Sequence, residues 1–354
     1  MVEVQALGAG GGSIAGVRDG KLFVGPRSAG AMPGPACFAL GGDEPTVTDA
    51  NLVLNRIDPD NFLGGARKLD LEKARDAIRK RLAEPLNLSV EAAALAVIEA
   101  VDADVGAEIG RLRSEAQSVD PLMIVYGGAG PLHACRVAEG AGLRRIAITP
   151  FSAVFSAFSS SLMDVGHNYL RTVNVPVSEL AASDGAAKAL TEIHAAALRD
   201  MRGEGFEVSD LLWQLEAIVA DDDGTEGRVA LGVVDPLLEA SLADFSRCIS
   251  DSQPGAVRIT AIGLFVSARV PHFTFEKSDE TGSDVGVART GTRNAVVGTA
   301  NAPEPVPVFD LARLEPGHVL AGPAILESRQ TTVWVAPGWR ARIDRYQNLM
   351  MSRG

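Results

Sequence analysis

The chain has 354 residues, a hydrophobic fraction of 46%, and a net charge of −12 from 33 basic and 45 acidic side chains. That length predicts two or three domains, the apolar content excludes general disorder, and the acidity excludes a phosphate-backbone binder, so nucleic acid is not an expected partner. No apolar run reaches the roughly 18–20 residues that span a bilayer, and no basic-then-apolar leader opens the sequence, so a soluble, cytoplasmic protein without a membrane partner is expected.

Thirteen of the 37 glycines fall within residues 1–65, so that end is built from tight backbone turns. Val2-Glu3-Val4 alternates like a strand, and Gly8-Ala9-Gly10-Gly11-Gly12-Ser13 breaks it. A chain that opens on a strand is expected to lack an N-terminal unit of its own. Leu22-Phe23-Val24 is a second short strand, followed by the turn signals Gly25-Pro26, Pro33-Gly34-Pro35 and Gly41-Gly42. Residues 70–117 are helical: Asp70 caps a stripe of Leu71, Ala74, Ile78 and Leu82, Pro85 ends it, and Ser89 caps a second helix from Val90 to about Gln117.

Leu122-Met123-Ile124-Val125-Tyr126 is apolar at every position and predicts a buried strand. Gly127-Gly128-Ala129-Gly130-Pro131 turns the chain into a helix from Leu132 to Glu139, stopped by Gly140 and Gly142, and Arg145–Thr149 is the next strand. This β-turn-α-β unit predicts a partly parallel sheet. Residues 151–170 are Ser-rich, with Phe151, Phe155 and Phe158 interleaved, and a helix from about Ser178 to Arg202 follows. Strands are expected at 212–219, 258–268 and 332–336, and a long loop at 276–302. No internal repeat is present.

Successive glycines at 8–12 let backbone N–H groups converge on an anion, because no Cβ blocks the approach. That segment is either a phosphate or substrate-anion loop or a turn between strands. No Gly-Lys-Ser/Thr follows, so it is not a Walker A loop. The 127–131 turn lies at the carboxyl end of a parallel strand and opens a helix, the place where α/β proteins hold ligands, although it is not G-x-G-x-x-G. His133 sits three residues into that helix and is within reach of a ligand there, or is a structural histidine. Thr48, Asp49 and Asn51 stand at a helix N-terminus and either cap it or, through the carboxylate, hold a hydrated magnesium ion. Asp221-Asp222-Asp223 lacks EF-hand spacing and is read as a solvated loop. The cysteines, Cys37, Cys135 and Cys248, show neither disulfide nor zinc spacing, and Cys37 has no local histidine to activate it. No metal-ligand set is assigned.

Several segments together resemble the hydantoinase A/5-oxoprolinase family. They are Gly8–Ala15, Val24–Ala31, Pro33–Cys37, Pro45–Asn51, Gly127–Ala134, Gly322–Glu327 and Pro337-Gly338-Trp339, in family order from end to end. The resemblance implies an α/β fold, a ribonuclease-H-like half of an actin/Hsp70/sugar-kinase-type ATPase, followed by a C-terminal α+β domain. The implied division is a nucleotide-binding half at 1–170, the adenosine side, and the α+β domain at 171–354. It implies ATP and Mg2+ as cofactors and phosphorylation of a carbonyl or enolate oxygen of a small-molecule substrate. By that resemblance Gly127, Gly128, Ala129 and Gly130 take the adenosine side, Gly10, Gly11, Gly12 and Ser13 face the cleft, and Asp49, Asn51 and His133 are the candidate catalytic residues near it.

Two departures qualify the resemblance. The Asp-x-Gly-Gly-Thr phosphate motifs of the family are absent, so the chain resembles the C-terminal half only. Alone it is expected to be inactive: either a separate polypeptide supplies the N-terminal phosphate-binding half or the chain is a truncated or split gene product, and a hydantoinase B-type subunit is implied as a further partner. Phe38-Ala39-Leu40-Gly41-Gly42 also stands where the family has Tyr-Gly-Arg-Gly-Gly, without the arginine. Three functions are consistent with these features: hydrolysis of a cyclic amide of the hydantoin or 5-oxoproline type, carboxylation of a ketone such as acetone or acetophenone, and a non-catalytic scaffold. The 151–158 segment lacks the Pro-Gly of hydantoinase-type members and is nearer to the ketone carboxylase subunits.

Overall fold

The computed structural model describes residues 5–117, 119–233, 240–253, 255–280, 282, 284–298 and 302–354. The strand expected at Val2–Val4 lies outside them. The chain divides by its contacts into two compact units, Met1–Phe158 with Phe275–Gly354, and Ser159–Thr274. By these contacts the residues from Phe275 on group with the N-terminal segment, and the strand Leu349–Arg353 pairs with Arg145–Ile148.

The first unit opens with an antiparallel hairpin, β1 (Ser13–Arg18) and β2 (Lys21–Ser28). Helix α1 (Val47–Val53) is buried along almost its whole length. Helix α2 (Leu71–Ile78) starts at the Asp70 cap, whose carboxylate accepts from the Lys73 N–H at 3.0 Å. The sequence predicts a stop at Pro85, yet the helix runs past it. A proline ring clashes with the carbonyl four residues back in α geometry. The backbone widens into a π turn over Arg79–Ala83, and Pro85 then sits in the one-turn helix α3 (Glu84–Leu86), which ends at Asn87 with φ +54°. Ser89 caps the long helix α4 (Val90–Glu115) as expected.

Strand β3 (Met123–Val125), helix α5 (Gly130–Gly140) and strand β4 (Arg145–Ile148) form the expected unit, with β3 and β4 parallel. A short helix α6 (Phe155–Ser161) follows. The second unit is an antiparallel sheet of β5 (Val165–Pro176), β6 (Leu211–Ala220), β7 (Glu226–Val233) and β8 (Arg258–Ala268), in the order β5-β8-β6-β7. Helices α7 (Asp184–Gly203) and α8 (Ala240–Ser252) contribute Ile193, Phe245 and Ile249 to its core. The helix expected from Ser178 begins as a 3-10 turn, Val177–Ala182, and Ser183 caps α7.

The chain then returns to the first unit. Part of the loop expected at 276–302 is a strand: β9 (Arg289–Val296) pairs antiparallel with β10 (Pro303–Asp310). Prolines 303, 305 and 307 alternate, so their missing N–H groups share one edge, and the parallel neighbour β12 (Ala324–Glu327) joins only from Val308. Between them runs β11 (Val319–Ala321), and after them β13 (Thr332–Val335), β14 (Trp339–Ile343) and β15 (Leu349–Arg353). One sheet runs β13-β12-β10-β9 and the other β11-β14-β15-β4-β3. Leu82, Ile98, Ile146, Trp334 and Trp339 lie in the shared core. Side chains of this size contribute about 1.5–3 kcal/mol each when fully buried.

A cavity between two glycine turns

Helix α1 organises the first glycine loop. Thr46 is its N-cap and forms a reciprocal capping box with Asp49. Two residues after the cap, Thr48 donates twice to the Gly11 carbonyl, from its backbone N–H and its hydroxyl, both at 2.9 Å. Ser13 ties the loop to itself, accepting from the Gly10 N–H at 2.9 Å and donating to the Gly8 carbonyl at 3.3 Å. A Cβ on Gly12 would fall 2.8 Å from the Ser28 hydroxyl, and one on Gly11 would fall 2.8 Å from that of Thr48.

The second turn is held from elsewhere. Gly127 has φ +92° and its N–H donates to the Ser152 carbonyl at 2.6 Å. Thr331 Oγ1 donates to the Gly128 carbonyl at 3.0 Å. No side chain caps α5 at its Ala129–Gly130 start. The two turns meet: the Cβ position of Gly11 is 3.8 Å from that of Ala129. Because the left-handed conformation at Gly127 costs a residue with a Cβ, Gly127→Ala is expected to destabilise the chain by about 1–2 kcal/mol in urea unfolding.

A cavity of 390 Å³ opens where the turns meet, lined by Ala9, Gly10, Gly11, Ala129, Gly130 and His133, and by apolar side chains of α4 and β3. Of the residues singled out in the sequence, Gly10, Gly11, Ala129, Gly130 and His133 therefore share one cavity. Gly12 and Ser13 shape the first loop. Gly128 borders a separate, smaller cavity with Leu132 and Thr332.

Asp49 is fully buried. Its carboxylate accepts from the N–H groups of Ala36 (3.2 Å), Cys37 (2.8 Å) and Thr46 (2.8 Å), and from the Thr46 hydroxyl (2.8 Å). These contacts give it the capping job and leave no oxygen turned to the cavity. Burial and the neighbouring Asp49 carboxylate push the Cys37 thiol far up, so it stays protonated and unreactive.

His133 has both ring nitrogens engaged. Nδ1 lies 2.6 Å from Asp102 Oδ1, and Nε2 lies 3.3 Å from Asn51 Nδ2. Asn51 Nδ2 also donates to the Val47 carbonyl at 3.2 Å, which fixes the amide orientation. The contacts are satisfied by a neutral ring with its proton on Nδ1, accepting from Asn51 at Nε2. His133 thus ties α5 to α4 and α1. Asp102 Oδ2 also lies 3.9 Å from Arg136 Nε, and the Asp102 charge partly offsets the burial that pushes the Arg56 guanidinium, stacked 4.8 Å from the Trp334 ring, down to about 10. Asn51 Oδ1, Asp102 Oδ2, and Arg56 Nε and Nη1 are buried with no hydrogen-bond partner among the described residues. Neither Asp102 nor Arg56 was singled out in the sequence. The available signal was Asp102 itself, a carboxylate beside Val97, Ile98 and Val101 on the buried stripe of α4. Among the described residues, no group of three His, Cys, Asp or Glu side chains is placed to hold a metal, and no helix is long and apolar enough to cross a membrane.

Comparison with known proteins gives a consistent result. The family model for hydantoinase/oxoprolinase matches residues 1–169, and that for the hydantoinase/oxoprolinase C-terminal domain matches 255–353. The alpha subunit of caprolactamase from Pseudomonas jessenii is 33% identical over 361 residues, covering 97% of this chain and 51% of the relative. The gamma subunit of acetophenone carboxylase from Aromatoleum aromaticum is 34% identical over 382 residues, covering 98% and 50%. Among solved structures, nucleotide-free acetone carboxylase superposes with a TM-score of 0.79 at 26% identity, over 98% of this chain and 52% of that one. The ATP-dependent caprolactamase of Pseudomonas jessenii does so with 0.73 at 31% identity, over 100% and 53%. The chain spans about half the length of these relatives.

Proposed function

The chain belongs to the hydantoinase/oxoprolinase family, and from that premise we propose that it is part of an ATP-dependent enzyme that phosphorylates a carbonyl oxygen and so opens a cyclic amide of the hydantoin or 5-oxoproline type. The observation that carries this reading is the convergence of the two glycine turns on one cavity at the uncapped start of α5. Backbone N–H groups at a helix start favour a phosphate, and glycines let a ring approach the backbone. A Cβ on Gly10 would meet nothing within 4 Å, so that stretch of backbone is open. In this reading Gly10, Gly11, Ala129 and Gly130 would hold the nucleotide, which supplies the phosphoryl group when bound. His133, Asn51 and Asp49 position the turns. The residues here do not fit a magnesium site: Asp49 is saturated and Asp102 faces His133. The ion is therefore assigned to no residue of this chain.

The relatives are named as alpha, gamma and beta subunits, which supports an assembly. The partners in this reading are a polypeptide carrying the phosphate-binding half and a hydantoinase B-type subunit. A second reading, a ketone carboxylase, is favoured by the acetone carboxylase superposition. The test is ATP hydrolysis by the chain co-expressed with the polypeptide bearing the Asp-x-Gly-Gly-Thr motifs. Stimulation by a hydantoin or lactam supports the first reading. Stimulation only by a ketone with bicarbonate moves the assignment to the second. No stimulation by either overturns both and leaves a scaffold.

A further inference from the structure

We infer that Thr331 is a positioning residue for the nucleotide, on the reading that the turn at 127–130 holds it: its hydroxyl sets the direction of the Ala129 N–H without touching the ligand. The start of α5 carries few donors. Pro131 has no N–H, and the Leu132 N–H donates to the Ala129 carbonyl at 3.0 Å. The N–H groups of Ala129 and Gly130 have no partner among the described residues. These two are what the start of the helix offers an anion, so their directions decide how well it binds. The peptide between Gly128 and Ala129 is trans, and in a planar trans unit the C=O and N–H point opposite ways. Thr331 Oγ1 donates to that C=O at 3.0 Å and lies 3.5 Å from the Gly127 carbonyl. Holding the carbonyl therefore turns the Ala129 N–H away from Thr331. Ala129 lines the 390 Å³ cavity and Thr331 does not, so the hydroxyl acts through the peptide plane.

Thr331 reaches the turn from a rigid mount. It closes the loop between β12 and β13, just before the pair Glu327 and Thr332. Ser328 locks that loop. Its N–H and hydroxyl donate to the Thr331 carbonyl at 2.9 and 3.1 Å, and its side-chain oxygen accepts from the N–H groups of Gln330 at 3.2 Å and Thr331 at 3.1 Å. Thr331 is 7% exposed, and two residues into β13 the Trp334 carbonyl accepts from the Cys135 thiol of α5 at 3.5 Å. Backbone held in this way leaves little ordering to occur when a ligand arrives. The other end of the turn is fixed by main chain, the Gly127 N–H on the Ser152 carbonyl. The Thr331 hydroxyl is the side-chain contact that a substitution can remove. Thr331 lies in the segment matched by the C-terminal domain model, and the turn lies in the segment matched by the other. The hydroxyl thus gives the C-terminal segment a part in nucleotide binding.

The experiment uses the chain co-purified with the polypeptide bearing the Asp-x-Gly-Gly-Thr motifs, with ATP as the probe. Thr331→Val keeps the branched shape and removes the donor. It should weaken ATP binding by about tenfold in calorimetry and raise KM for ATP alike, with kcat at saturating ATP within about twofold of the parent. Thr331→Ser keeps the hydroxyl and should bind ATP within about twofold of the parent. Equal affinity in Thr331→Val and the parent overturns the inference. So does an equal loss in Thr331→Val and Thr331→Ser, which would assign the role to packing of the methyl group, and so does a fall in kcat at unchanged KM. If Thr331→Val gives no folded complex, Ser328→Ala, which loosens the loop, carries the test with an expected loss of about threefold, and unchanged affinity there overturns the inference. Gly10→Val checks the nucleotide reading separately. A Cβ there meets nothing within 4 Å, so the added branch enters open space at the cavity wall and should block ATP. A parent complex that binds no ATP, or a Gly10→Val complex that binds it as well as the parent, removes the nucleotide from this cavity and the inference with it. Binding lost in Gly10→Val but unchanged in Thr331→Val overturns the role of Thr331 alone.

Discussion

Asp49→Ala is expected to lower the stability of the chain by about 3–5 kcal/mol in urea unfolding, among the largest effects of any single substitution here. The carboxylate accepts from three backbone N–H groups and one hydroxyl, all buried. Removing it leaves these donors without water or an acceptor, and each orphaned donor costs about 1–3 kcal/mol. The damage spreads along the chain. Ala36 and Cys37 form the 3-10 turn that Asp49 holds against α1, and the Cys37 carbonyl accepts from the Asp70 N–H that opens α2. Thr48, next to Asp49, holds Gly11. Asp49→Asn keeps one acceptor oxygen but turns an amide N–H₂ towards donors, so it should recover only part of the loss. A carboxylate that served the reaction directly would behave otherwise. Its amide variant would unfold at the parent midpoint and lose only turnover, and that result would return Asp49 to the cleft chemistry.

The parts of this molecule that were legible in the sequence are the local ones. Asp70 and Ser89 announce their helices because a cap acts within three residues of itself. The 121–149 unit is legible because glycine, proline and apolar runs follow each other within one supersecondary motif. The strand β9 was hidden because Arg289–Val296 is exposed over most of its length and its partner is punctuated by alternating prolines. The contacts that assemble the cleft are hidden for another reason. His133 meets Asp102 across 31 residues and Asn51 across 82, and Thr331 reaches Gly128 across 203. Spacing carries no record of such pairings. The glycine turns could be nominated from sequence, but their meeting at Gly11 and Ala129 could not. At β3 the mismatch is informative in itself: the residues read as interior and the position is an edge, and such local disagreements mark places where function or assembly has been accommodated.

Asp102→Ala should cost a further distinct amount, about 3–5 kcal/mol, because it removes a buried carboxylate that holds His133 Nδ1 at 2.6 Å, pairs with Arg136 at 3.9 Å and offsets the buried charge of Arg56. Burial alone disfavours the charged form of Arg56, and the Asp102 carboxylate is the largest influence in the opposite direction. Two of the guanidinium nitrogens have no hydrogen-bond partner, and the Trp334 face is a weak substitute for one. Without Asp102 the Arg56 charge keeps only the weaker influence of Glu99, and His133 Nδ1 loses its acceptor as well. The two losses separate in a double-mutant cycle. Arg56→Met keeps much of the side-chain volume and removes the charge, so Asp102→Ala made in that background should cost at least about 1 kcal/mol less than in the parent. What remains in that background measures the contacts to His133 and Arg136, and with them the strut that holds α5 against α4. Equal costs in both backgrounds would mean that Arg56 and Asp102 are uncoupled. The stability contributed by Asp102 would then reside in its contacts to His133 and Arg136, both on α5, and the orientation of the second glycine turn would depend on those two contacts.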